Sequence, residues 1–267
     1  MNQIGALQLF LAPVYKFLSN MSGTTVDPST LLPQYANASY DDIIQTALRK
    51  KEMVCARVSV VLGLAESLYF RDFVKAYQTI IRYPTFFQML DDKQQLQLVE
   101  FECVFLSGLI SFHLAREMRE PQWLQRGMNA LAAFEDWAKL NAWDFQHRFH
   151  ILKAELHHTQ GDTNRAIESY DLAIAAAKEH HYPSHEALAC ELTAHFYVSI
   201  RNNEKTKEMI QKSHETYIKW GAAKKADAVI KLQLLGQSIG SNSATFRDSQ
   251  QIVSFPRIGM NVQSAAL

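Results

Sequence analysis

Ten histidines are the residues of this 267-residue chain best able to do chemistry, and seven of them crowd between positions 147 and 185. On a helix, His147 and His150 stand about one turn apart, and His157 and His158 follow two turns later. A face bearing His147, His150 and His158 has the nitrogen ligands that zinc takes. No Asp or Glu completes that face, so packed or solvated histidines are expected there, not a metal. Glu191 and His195, four apart, can pair along a helix but do not make an acid–base dyad. The chain has no Gly-Lys-Ser/Thr phosphate loop, no His-Glu-x-x-His and no kinase-like catalytic signature. The expectation is a protein that is not an enzyme and carries no cofactor.

The elements that must position these residues read as helices throughout. Apolar residues recur at helical spacing, and no segment sustains a period of two. Helices are expected near 3–20, from Tyr40, over 50–70 and 72–81, then near 92–117, 121–140, 145–159, 163–180, 184–200, 203–219 and 222–237. Pro121 and Pro183 fall at or just before first helical turns, where proline is tolerated. After residue 140 the connections are only a few residues long, which forces successive helices to lie antiparallel and adjacent. The polar run from Gly236 to Ser243 has no helical stripe. The expected organisation is one helical domain over 1–238 and a disordered tail over 239–267.

Two helix pairs carry a repeat. In the first, residues 147–180, Ala154 allows close approach, Gly161-Asp162 turns the chain, and Ala166 packs back on the first helix. Tyr170 and Ala173 fill the layer between pairs. The second pair, 184–220, repeats the register less cleanly: Ala194 takes the place of Ala154, Thr206 and Ser213 stand where alanines are expected, and Ile210 replaces Tyr170. A helical repeat of this kind presents surface and binds partners. The fold class expected is all-α, a tetratricopeptide-like α-solenoid of stacked antiparallel helical hairpins.

Composition excludes several partners. Lys+Arg and Asp+Glu number 27 each, so no basic field is present to neutralise phosphates, and neither nucleic acid nor an anionic membrane is an expected partner. The apolar runs Val58–Leu64 and Phe101–Ala115 are shorter than the roughly 20 residues that span a bilayer. Cys55, Cys103 and Cys190 are scattered in apolar stretches, which points to a reducing compartment and against a disulfide framework or zinc site. A cytoplasmic location follows as an expectation.

The run Phe134–Arg148 resembles a Trp…Asn-x-x-x-Phe-x-His-Lys element of the large multidomain signalling proteins. Those proteins combine a kinase-like domain, an AAA-type ATPase, a helical repeat region, a GAF domain and often a histidine kinase. Glu186-Ala187-Leu188-Ala189-Cys190-Glu191-Leu192, followed by Phe196-Tyr197, is similar to that family's Glu-Ala-Leu-Ala-x-Glu-Leu segment. Tyr217-Ile218-Lys219-Trp220-Gly221-Ala222 is similar to its Tyr-x-x-Trp-Gly-Ala ending. The ATPase, kinase-like, GAF and histidine kinase sequences themselves are absent from these residues, so ATP hydrolysis and autophosphorylation do not transfer. The resemblance implies a connector or interaction module in signal transduction. The partner it implies is a protein or peptide, such as an ATPase, GAF or kinase domain. The alternative is a structural fragment of a larger ATPase/histidine-kinase protein. Binding through first-helix residues of successive repeats makes His150, Lys153, His157, Glu191 and Tyr197 the candidate partner-binding residues.

Overall fold

The computed structural model describes residues 3–23, 32–35, 37–87 and 98–239. Within them the chain is all-helical. Eleven α-helices follow in order: α1 (Gln3–Ser22), α2 (Tyr40–Arg49), α3 (Met53–Tyr69), α4 (Phe73–Arg82), α5 (Leu98–Met118), α6 (Pro121–Leu140), α7 (Ala142–Gln160), α8 (Thr163–Glu179), α9 (Pro183–Ser199), α10 (Asn203–Trp220) and α11 (Ala223–Ile239). The expected tail of 239–267 lies outside the described residues, apart from Ile239, which ends α11.

One turn recurs along the chain. A residue with positive φ ends seven of the helices after α1, at Lys51, Arg71, Arg119, Gly161, His181, Arg201 and Gly221, whereas α4 and α6 end at Tyr83 and Asn141 with negative φ. In six of these turns the next amide donates to the carbonyl five residues back, as in Asp162 to His157, Tyr182 to Ala177, Asn202 to Tyr197 and Ala222 to Tyr217. That bond satisfies a carbonyl the helix end would otherwise orphan. The residue after the left-handed position starts the next helix. Asp72, Asp162 and Asn202 each accept from the amide three residues on, a side-chain cap contributing about 1 kcal/mol. Ser39 opens α2 with a full capping box through Asp42.

From Gly161 to Gly221 the turns fall every 20 residues, at 161, 181, 201 and 221. A helix pair therefore repeats every 40. The small and large positions read from sequence keep that offset: Ala154 with Ala194, Ala166 with Thr206, Tyr170 with Ile210, and Ala173 with Ser213. All eight are buried.

Neighbouring helices in sequence pack on one another from α5 to α11. In addition α3 packs on α5, α5 on α7, and α7 on α9, while α1 packs on α2, α3 and α11. Close approach of α5 and α6 is set by two glycines. A Cβ on Gly108 would stand 2.6 Å from the Ala130 Cβ, and one on Gly127 would stand 2.6 Å from the Phe112 ring. Phe101, Phe134, Trp137 and Phe145 then interlock across α5, α6 and α7 with ring centroids 4.7–6.0 Å apart, an aromatic geometry that adds to area burial. Cys55, Cys103 and Cys190 are buried free thiols. Among the described residues no helix is long and apolar enough to cross a membrane.

Candidate functional site

Three of the five candidate residues come together. His150, Lys153 and His157 occur at i, i+3 and i+7 of α7, with Lys153 Nζ 5.6 Å from the Phe149 ring centroid and the His150 ring 5.2 Å from it. His150 and Lys153 are partly exposed, while His157 is buried. Burial lowers the pKa of both histidines, with the Lys153 charge reinforcing it, so both rings are neutral near pH 7. The other two lie elsewhere. Glu191 is 2% exposed in α9 and held by Tyr217 and Lys225. Tyr197 is buried in α9 and feels the charges of Asp171 in α8 and of Lys205, Glu208 and Lys212 in α10.

The histidines do not gather as a metal site. Nε2 of His147 lies 3.0 Å from Nδ1 of His185 in the core, with Tyr182 stacked on His147 at 4.4 Å. His158 reaches Ser199 at 3.2 Å instead. Among the described residues no group of three or more His, Cys, Asp or Glu could hold a metal ion. Of the four tryptophans, Trp123 is buried, Trp137 joins the aromatic layer, and Trp220 packs on Tyr69 and Tyr217. Trp143 is 52% exposed and stacks on His180 at 4.7 Å.

A hydrolase spacing does occur, Gly236-Gln237-Ser238-Ile239-Gly240. A nucleophile elbow needs a sharp strand-to-helix turn to present its serine. Here Gly236 to Ile239 are the last residues of α11, and no strand occurs among the described residues.

A polar centre lies between α5, α7, α9 and α11. His113, Glu155 and His195 each stand six residues before a left-handed turn residue, Arg119, Gly161 and Arg201. They therefore occupy the same level of α5, α7 and α9. Arg116, one turn on in α5, donates to Glu155 Oε2 at 2.7 Å and to the Thr159 hydroxyl at 2.9 Å. The Tyr170 hydroxyl donates to Glu155 Oε1 at 2.6 Å. Burial raises the Glu155 pKa, but Arg116, His158 and the Tyr170 bond more than offset it, and the carboxylate stays ionised. Next to it, Lys225 donates to Glu191 Oε1 at 2.7 Å and to the Tyr69 carbonyl, and the Tyr217 hydroxyl donates to Glu191 Oε2 at 2.8 Å. Burial first, then the surrounding arginines, hold His113 and His195 well below their ordinary pKa. Local sequence gives little signal for this centre, because its charges come from four helices and one turn.

No family model, curated protein or solved structure matches this chain.

Proposed function

We propose that this chain is a non-catalytic protein-interaction or connector module, built as a tetratricopeptide-like α-solenoid of stacked antiparallel hairpins. The observation that carries the reading is the 40-residue recurrence of one turn and one set of buried packing positions across α7–α10. Alternate helices α3, α5, α7 and α9 packing in series support stacking of pairs, the arrangement in which a repeat exposes a continuous binding face. The period is longer than the 34 residues of a tetratricopeptide unit, so the likeness is one of architecture and packing logic. On this reading the module works in the cytoplasm as the counterpart of the helical region of the ATPase/GAF/histidine-kinase signalling proteins. Its partner is a protein or peptide that meets the His150–Lys153 edge of α7. Charge reversal at Lys153, with partner recovery as the readout, tests it.

A second reading, a structural part of a larger ATPase/histidine-kinase protein, draws on α1. Leu7, Leu11 and Leu18 are 58%, 42% and 57% exposed, and their spacing puts them on one side of the helix. An adjoining domain would cover such a face. Coding sequence continuing beyond either end with a Walker or histidine-kinase pattern would favour this reading; its absence would remove it.

A further inference from the structure

The polar centre between α3, α5, α7, α9 and α11 carries one positive charge more than its own carboxylates balance. Its cations are Arg71, Arg116 and Lys225, and its anions are Glu155 and Glu191; the mutual influence of all five is felt at Arg71, His195 and Lys225. Both oxygens of each carboxylate are already engaged. Glu155 takes Tyr170 and Arg116, and Glu191 takes Lys225 and Tyr217. Arg71 is left over. Among the described residues its guanidinium has no hydrogen bond and no carboxylate within ion-pair distance, although Glu155, Glu191 and Arg116 all lie close enough to perturb it.

Arg71 sits at the left-handed position of the α3–α4 turn, partly buried, over the Phe73 ring at 5.0 Å. Phe73 stacks on His113 at 3.5 Å. Two ring nitrogens of the same centre also make no hydrogen bond while shielded from solvent, Nδ1 of His158 and Nε2 of His195, the latter 3.9 Å from Glu191 Oε1. Arg71, His158 and His195 are all partly exposed residues, so the edge of the centre meets solvent. A partly buried charge without a counter-charge is costly, and so are buried polar atoms without hydrogen bonds. An anion from outside would relieve both.

We propose that Arg71 anchors a binding site for a ligand carboxylate, with His158 and His195 supplying hydrogen bonds around it. A surplus of one unit charge matches a carboxylate better than a phosphate dianion, and the planar guanidinium fork matches two carboxylate oxygens. The carboxylate belongs either to a small free acid or to an acidic side chain of a peptide. The inference does not depend on the interaction-module reading, since the site would bind a free acid in either case.

Calorimetric titration of the full-length protein with sodium succinate, with N-acetyl-aspartate amide as the side-chain mimic, and with inorganic phosphate tests it. The expected result is saturable 1:1 binding of at least one carboxylate, weakened at least about tenfold by Arg71→Gln. Ligand-free Arg71→Gln should melt no lower than wild type, because it removes an unbalanced charge. The tighter of the two carboxylate probes identifies the source of the ligand, and either result supports the site. No saturable carboxylate binding at tens of millimolar overturns the proposal. So does an Arg71→Gln protein that is destabilised yet binds as wild type, which would make Arg71 a packing residue on Phe73. Tighter binding of phosphate than of either carboxylate overturns the ligand class. If the Gln variant does not fold, Arg71→Lys carries the test: it keeps the charge and loses the fork, and undiminished binding contradicts the assignment.

Discussion

Lys225 Nζ lies 2.7 Å from Glu191 Oε1, with the two side chains only 2% and 3% exposed. The pair joins α11 to α9 across the core, where the Tyr217 hydroxyl also donates to Glu191 and Lys225 also donates to the Tyr69 carbonyl. Burial lowers the Lys225 pKa, opposed by the Glu191 charge. A pair so enclosed matters most when it is broken, because the survivor is left charged and alone in low dielectric. Glu191→Leu or Lys225→Met alone should each cost about 3 kcal/mol, and the double variant should recover to within about 1 kcal/mol of wild type. Urea unfolding of the four proteins measures the cycle. Additive losses would mean that the two charges are not coupled.

Acid should destabilise the fold through its buried histidines. The His147 pKa is lowered to about 3, burial first and the Arg148 charge second, and those of His113, His185 and His195 are held well below the ordinary value. In each case the folded pKa is depressed, so between the two values the unfolded chain binds more protons. Stability is then full above about pH 6.5 and falls as pH drops toward 3, by up to about 1.4 kcal/mol per pH unit for each such histidine. Unfolding free energies at pH 7 and pH 5 should differ by at least about 2 kcal/mol. His185→Phe should reduce that difference. A pH-independent stability over this range would show that the histidines titrate as they do in water.

Gly108 should tolerate no side chain. The added methyl of Gly108→Ala meets the Ala130 Cβ at 2.6 Å and the Leu152 Cδ2 at 2.9 Å, so α5 must move from α6 and α7. Overpacking of this kind costs about 1–3 kcal/mol, measurable as a lowered denaturant midpoint. An unchanged midpoint would mean that the helices have room the structure does not show.

The turn at Arg201 offers the opposite change. Its φ of 60° is a conformation glycine takes without strain, as Gly161 and Gly221 do in the equivalent turns. Arg201→Gly should stabilise the protein by about 0.5–1 kcal/mol, and Gly161→Ala should destabilise it by a similar amount. Thermal melts of the two variants moving in the same direction would contradict the shared turn geometry.

Local features of this fold were legible because their causes are local. Prolines 121 and 183 start α6 and α9, and Gly161-Asp162 turns and caps, as their spacing implies. The 40-residue offset between Ala154 and Ala194 was visible for the same reason, since packing demands small residues wherever helices approach closely. Some details moved: α7 begins at Ala142, capped by Asn141, earlier than the apolar periodicity suggests. The destination of each charge was not legible. On a helical wheel Glu191 is an exposed acid near His195; in the fold Tyr217 and Lys225, 26 and 34 residues away, enclose it. Arg71 carries no local mark beyond its turn, because the carboxylates it lies near belong to α7 and α9.

If the chain is an interaction module, another protein binds at the partly exposed His150–Lys153 edge of α7. The most direct measurement is amine-reactive crosslinking of the full-length protein in lysate of its source cells, with crosslinked lysines mapped and recovery compared between wild type and Lys153→Glu. The prediction is that crosslinks to one partner concentrate at Lys153, and that the variant recovers at least about tenfold less of it while melting as wild type does; reversing one interfacial charge has an effect of that size. Equal recovery by the two proteins, or partner crosslinks spread over the lysines of the other helices, would contradict it.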